Sequence, residues 1–172
     1  MCRNEGFQIT ARYDGELRKQ IERGTDDPLG WIDTVRGEDT ELVGGDGREG
    51  MKEYLTSFFG GLLQSLVECA DGDRGWFTAG NGPLYIVLEP ASGDEISVTF
   101  CYSKENIQSP DTRDPFEPSV TVRAQALSEA VVVSAEEYLE FVAAVNPELA
   151  ASSNAYLGLG EDIEHVTELY PI

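Results

Sequence analysis

Basic side chains are what this chain has least of. Three Lys and nine Arg stand against 32 Asp and Glu, for a formal net charge of −20 at pH 7. DNA and RNA are held through their phosphates by Lys and Arg that displace counterions, so a nucleic-acid partner is not expected. Anionic membrane surfaces are disfavoured for the same reason. Histidine is scarcer still. His165 is the only one, and one imidazole cannot make a His-rich metal site. No nucleophile motif accompanies it to suggest a Ser-His-Asp or Cys-His arrangement. The three cysteines, Cys2, Cys69 and Cys101, are odd in number and have no C-x-x-C spacing. They suggest neither a disulfide framework nor a zinc knuckle. Cys69 falls at a helix end and Cys101 in a strand, as small buried thiols in a reducing compartment would. No apolar run approaches the ~20 residues that span a bilayer. The opening stretch "MCRNEGFQITARYDGELRKQ" lacks the apolar centre of a secretory signal. A cytoplasmic protein without metal or cofactor is expected.

What is present suffices for a core. The chain has 172 residues and 41% apolar content, which predicts one globular domain over 1–172. A domain of that size hides roughly 70% of its unfolded surface. The acids are spread throughout: 13 in residues 1–57, 9 in 58–115 and 10 in 116–172, against 8, 3 and 1 bases. Spread of this kind favours general solvation in concentrated salt over one dedicated acidic site. The composition resembles that of halophilic archaeal proteins. The bases nevertheless thin out along the chain and leave the last third at −9, a charge that would steer a basic protein partner.

The periodicity predicts the elements. "GFQITARY" (6–13) alternates as a half-buried strand, and Asp14-Gly15 signals a hairpin turn. Residues 16–24 alternate weakly as Leu17, Lys19 and Ile21, but Leu17 and Ile21 also fit the i,i+4 spacing of a short helix, the favoured reading; minor strands follow near 31–35 and 40–43. From 50 to 69, Met51, Tyr54, Leu55, Phe58, Phe59, Leu62, Leu63, Leu66 and Val67 follow helical spacing without a gap. Gly60-Gly61 inside that stripe favours tight packing on a sheet over a hinge. Strands are predicted at 75–80, 83–90, 95–103 and 119–127, the second and third joined by a hairpin at 91–94. A second helix spans 134–146, with Ser134 as N-cap and Glu137 as its capping-box partner, and Asn146-Pro147 ends it. The tail from 148 is weakly patterned, with a short helix around 147–156.

Three stretches invite chemistry. "GGDGREG" (44–50) holds G-x-G-x-x-G ahead of the long helix, as a dinucleotide turn would. The preceding "TELV" is too short and polar for a buried parallel strand. Asp46 and Glu49 would also sit beside the phosphates, so a turn leading into the helix is the better reading. "DGDRG" (71–75) hints at calcium but lacks the acids an EF-hand loop needs at its fifth and twelfth positions; a helix-to-strand turn fits better. "KENIQSPDTRDPFEP" (104–118) is long for a connection between strands. Asp111, Asp114 and Glu117 surround a lone aromatic, Phe116, which suits a contact with a partner protein. The other reading is an over-long loop with Phe116 tucked onto the sheet.

The expected fold is α+β: an antiparallel sheet of about five strands, one long amphipathic helix on a face, and a second shorter helix. "GWFTAGNGPLYIVLEP" followed by "VSAEEYLEFVAAVNPEL" resembles, in layout over residues 50–150, the small cytoplasmic immunity proteins that neutralise bacterial polymorphic toxins. The resemblance implies stoichiometric binding and no catalysis. The expectation is therefore a non-enzymatic acidic protein-binding module contacting its partner through Asp111, Asp114, Phe116 and Glu117. The alternative is a halophilic domain that binds a small ligand between sheet and helices.

Overall fold

The computed structural model of the chain describes residues 6–79, 84–115 and 117–171. Phe7–Arg12 (β1) buries Phe7 and Ile9 and exposes Gln8 and Thr10, as its alternation predicts. It pairs antiparallel with the long strand Leu29–Gly37 (β2), from Phe7↔Gly37 to Arg12↔Trp31. The other edge of β2 is shared by two short strands. Thr40–Val43 (β3) pairs with its C-terminal end and Met51–Tyr54 (β4) with its N-terminal end. A second antiparallel sheet runs in chain order through Gly75–Ala79 (β5), Leu84–Pro90 (β6), Glu95–Cys101 (β7) and Ser119–Arg123 (β8).

The architecture is thus α+β and antiparallel, but among the described residues the expected sheet of about five strands is two sheets of four. Among the described residues there are six α-helices: Gly15–Glu22 (α1), Leu55–Ala70 (α2), Lys104–Gln108 (α3), Ala124–Val145 (α4), Pro147–Ser152 (α5) and Asn154–Leu169 (α6). Several boundaries differ from the sequence expectation. Asp14-Gly15 is no hairpin turn; Asp14 caps α1, its Oδ1 accepting from Leu17 N–H at 2.9 Å. The long helix starts at Leu55, because Met51–Tyr54 completes the sheet beside β2. The strand expected over 119–127 stops at Arg123, and α4 begins at the next residue. Ser134 is therefore buried in mid-helix and caps nothing.

One apolar cluster joins the two sheets with α1, α2, α4 and α6. It contains Ile9, Ile32 and Val35 of the first sheet and Ile86, Leu88 and Val98 of the second. Leu17 and Ile21 of α1, Phe58 and Leu63 of α2, Leu127 and Val131 of α4, and Leu159 and Val166 of α6 enter it too. Burying each such side chain fully contributes about 1.5–3 kcal/mol. The sheets meet where β8 abuts β2. A Cβ on Gly37 would strike Val120, so only glycine permits that approach.

Residues 25–28, between α1 and β2, are held by α2 and by the C-terminal helices. Thr56 Oγ1 donates to Asp26 O at 2.7 Å, Ser153 Oγ to Asp26 Oδ1 at 2.7 Å, and Tyr156 O–H to Thr25 O at 2.9 Å. Asn146 Nδ2 adds a bond to Ile21 O at 3.0 Å. These bonds tie the first strand–helix unit to the last three helices.

Candidate functional site

One concavity lies where the first sheet ends. β1 is an edge strand: among the described residues only β2 pairs with it. Gly6 O accepts from Glu38 N–H at 3.0 Å. That bond sets the parity of the ladder, so Gly6 and Gln8 turn their backbone groups towards β2 while Phe7 and Ile9 turn theirs outward. Ser134 Oγ, at 3.5 Å from Ile9 O, agrees with this direction.

Helix α4 underlies this edge. Ala126, Ala130 and Ser134 recur every four residues and face β1, and their small side chains let the helix come close. A Cβ on Gly6 would stand 3.2 Å from Ala126 Cβ. The next row outward is Glu129, Val133 and Glu137, all exposed. Between strand edge and helix row lies a groove of about 510 Å³. Its floor combines Ala126 and Ala130 with Ser134, and its rim carries two carboxylates.

The groove opens onto the most acidic part of the molecule. From Ala124 to the end there are nine Asp and Glu and no Lys or Arg. Eight of those nine are exposed and Asp162 is half-buried. Helices α4 to α6 therefore form a layer of one sign, which focuses attraction on a positive partner.

The 104–118 segment is ordered by α3 and a 3-10 turn, Pro110–Thr112. It covers the outer face of the second sheet, where Ile107 packs with Tyr85, Val87 and Cys101. Arg113 anchors it, donating to Asn106 O at 2.7 Å and Ile107 O at 3.1 Å and pairing with Glu89. Glu89 is clamped from the other side by Arg74 at 2.8 Å. This packing separates the residues expected at a partner contact. Asp111 and Asp114 are exposed. Glu117 is buried, its carboxylate turned inward to accept from Asn106 Nδ2. Phe116 lies outside the described residues.

The other stretches resolve into turns and buried groups. "GGDGREG" leads into no helix; it is the excursion between β3 and β4 along one edge of β2. Gly44 and Gly50 lie against the backbone of Ile32 and Asp33, where a Cβ would collide. Gly44, Gly45 and Gly47 have φ of +65°, +78° and +78°, values that favour glycine. Glu41 fills the space beside Gly45 and pairs with Arg48 at 3.4 Å. Residues 71–74 are a helix-to-strand turn, with Asp73 N–H returning to Glu68 O at 3.0 Å. His165 is exposed on α6. Cys69 and Cys101 are buried, and burial pushes both thiols up to about 11. Neither supplies a thiolate at neutral pH. Among the described residues no group of three His, Cys, Asp or Glu could hold a metal ion, and no helix is long and apolar enough to cross a membrane.

A second hollow, of about 450 Å³, lies between β5, α2 and α6. Phe77 forms its floor, Gly60 and Gly158 leave space open, and Gln64 meets Asp162 across it at 3.5 Å.

The β1–α4 groove was hidden in the sequence by the mistaken start of α4. Once the helix begins at Ala124, the two rows 126-130-134 and 129-133-137 become visible. No protein family, curated protein or solved structure matches the chain.

Proposed function

We propose that this chain is a non-catalytic, acidic protein-binding module, a stoichiometric binder of the kind that the layout resemblance to toxin-immunity proteins implies. Its partner is a basic protein, received on the layer of α4 to α6 and in the groove beside β1. The observation that carries this reading is the run of nine carboxylates without one Lys or Arg from Ala124 onward, two of them on the rim of the groove between β1 and α4. Steering by such a surface is long-ranged and falls as salt rises. Asp111 and Asp114, exposed on the cover of the second sheet, extend the acidic surface to a second place.

The test is capture of partners by the immobilised protein from an extract of the cells that make it. One basic protein, bound in a one-to-one ratio at low salt and released by KCl, is the expected result. Replacing Glu129 and Glu137 together by Lys removes it. Asp111→Ala with Asp114→Ala weakens capture only if the 104–118 cover also makes contact. A bound fraction unchanged by the Lys variant and by salt would overturn the reading. The hollow over Phe77 favours one alternative, a small-ligand domain. A small molecule that co-purifies with the chain and is lost on Gly158→Leu would put that reading first.

A further inference from the structure

We propose that the hollow between α2, α6 and β5 is a binding site for a small aryl-alkyl amine, with its ring on Phe77 and its ammonium on Asp162. This goes beyond the binding-module reading and does not rest on it: the hollow and the β1–α4 groove share no lining residue. Helices α2 and α6 run parallel. At one end Thr56 and Tyr156 both lie against the Tyr138 hydroxyl, at 2.8 and 3.4 Å, and at the other Tyr170 O–H donates to Leu66 O at 2.6 Å. Gln64 meets Asp162 between these ends. One turn earlier, Gly60 therefore stands level with Gly158, and a Cβ on either would meet nothing within 4 Å. The helix pair thus has one level where both faces lack side chains, with a polar level next to it.

The floor of this slot is aromatic. Phe77 is half-buried on β5. Gly61 lies against its ring, and Phe58 meets it edge-on with centroids 6.1 Å apart, so the ring is held in place where it closes the slot. A flat aromatic body entering between the two glycines reaches this ring and packs on it offset or edge-to-face. The volume, about 450 Å³, falls within the roughly 300–1,000 Å³ of pockets that take small molecules, which are commonly found between packed helices.

Charge sets the sign of the ligand. No Lys or Arg lines the hollow, and none follows Arg123 in the chain. Asp162 is half-buried, and among the described residues the one hydrogen bond to its carboxylate comes from Gln64 Nε2 at 3.5 Å, longer than a normal N–H···O bond. An ammonium supplies the strong, charge-assisted donor that this carboxylate lacks. Asp162 stands four residues beyond Gly158, about 6 Å along the helix, which a two-carbon tether between ring and nitrogen covers. An anionic ligand of the same shape is repelled by the same carboxylate.

The experiment titrates the full chain, labelled with 15N, with phenethylamine. Saturable shifts of the Gly60, Gly158 and Asp162 amide signals are expected. Ethylamine, which lacks the ring, and hydrocinnamate, which reverses the charge, should each bind roughly tenfold more weakly or worse. Gly158→Leu fills the slot with a good helix former and should abolish binding. Asp162→Asn should weaken phenethylamine binding roughly tenfold and leave the neutral phenethyl alcohol within about twofold. Absence of saturable shifts at Gly60 and Gly158 with millimolar phenethylamine would overturn the site. So would equal binding of ethylamine, which would mark counterion attraction by a chain of −20. If the Leu variant loses its native spectrum, Asp162→Asn decides alone, and unchanged phenethylamine affinity there overturns the site. Failure here leaves the binding-module reading standing, because that reading falls only with the capture test of Glu129 and Glu137, neither of which lines the hollow.

Discussion

Thr56, Tyr138 and Tyr156 illustrate how single protons decide a buried site. Thr56 gives its hydroxyl proton to Asp26 O and Tyr156 gives its own to Thr25 O, because carbonyls can only accept. Tyr138 has one proton left to place. Thr56 Oγ1 lies at 2.8 Å and Tyr156 Oη at 3.4 Å, so it goes to Thr56. The two tyrosine oxygens then face each other with no proton between them. Burial raises both phenols above their ordinary range, Tyr138 the more, which keeps these donors protonated. Tyr138→Phe should lower stability by about 1–2 kcal/mol, the usual cost of one buried hydrogen bond, read from the shift of a urea unfolding curve. The buried thiols make a second prediction. Their folded values, about 11, exceed the unfolded value of about 8.5. Their stabilising contribution is therefore whole below pH about 8.5 and is lost as pH rises through about 11. The unfolding midpoint should fall across that window. Native Cys69 and Cys101 should also resist iodoacetamide at pH 8 and react once unfolded, as peptide mapping would record.

Two adjacent glycines in α2 have opposite duties. A Cβ on Gly61 would collide with the Phe77 ring, whereas one on Gly60 meets nothing within 4 Å. Gly60→Ala should therefore stabilise by roughly 0.5–1 kcal/mol through helix propensity. Gly61→Ala should destabilise by about 1–3 kcal/mol through overpacking. Thermal melts of the pair decide it, and equal shifts of the same sign would refute the packing. Most of α2 was readable in the sequence, because Leu55 to Leu66 bury one continuous stripe. Its starting point was not, since Met51 and Tyr54 fit helical spacing equally well. Only pairing with Ile32 and Leu29 makes them strand. The alternation of β1 and of β6 and β7 showed through for a similar reason, one face of each being buried. The start of α4 did not. Val120, Val122, Ala124 and Ala126 alternate across the junction, and Ser134 with Glu137 mimics a cap in mid-helix. Helix α6 carries Tyr156, Leu159, Ile163 and Val166 at helical spacing. That stripe is narrow and interrupted by glycines, and it becomes a core face only against α2 and α4. The groove depends on the placement of α4 and could not be read before it.

For the molecule as a whole, charge and topology set the behaviour. A net charge of −20 strains the folded state through self-repulsion. At 1 M salt the Debye length is about 3 Å, so most of that strain is screened. The melting temperature should rise steadily from dilute to molar KCl, and a flat or falling course would argue for a dedicated acidic recognition face in place of salt adaptation. The latch on residues 25–28 has a further consequence, in the time taken to make the protein. Thr25 and Tyr156 are 131 residues apart, and translation adds roughly 5–20 residues per second. The ribosome therefore delivers the bolt on the order of ten seconds after the door. Until then β1 stands in the cell with α4 not yet beneath it, an unguarded template for any passing strand.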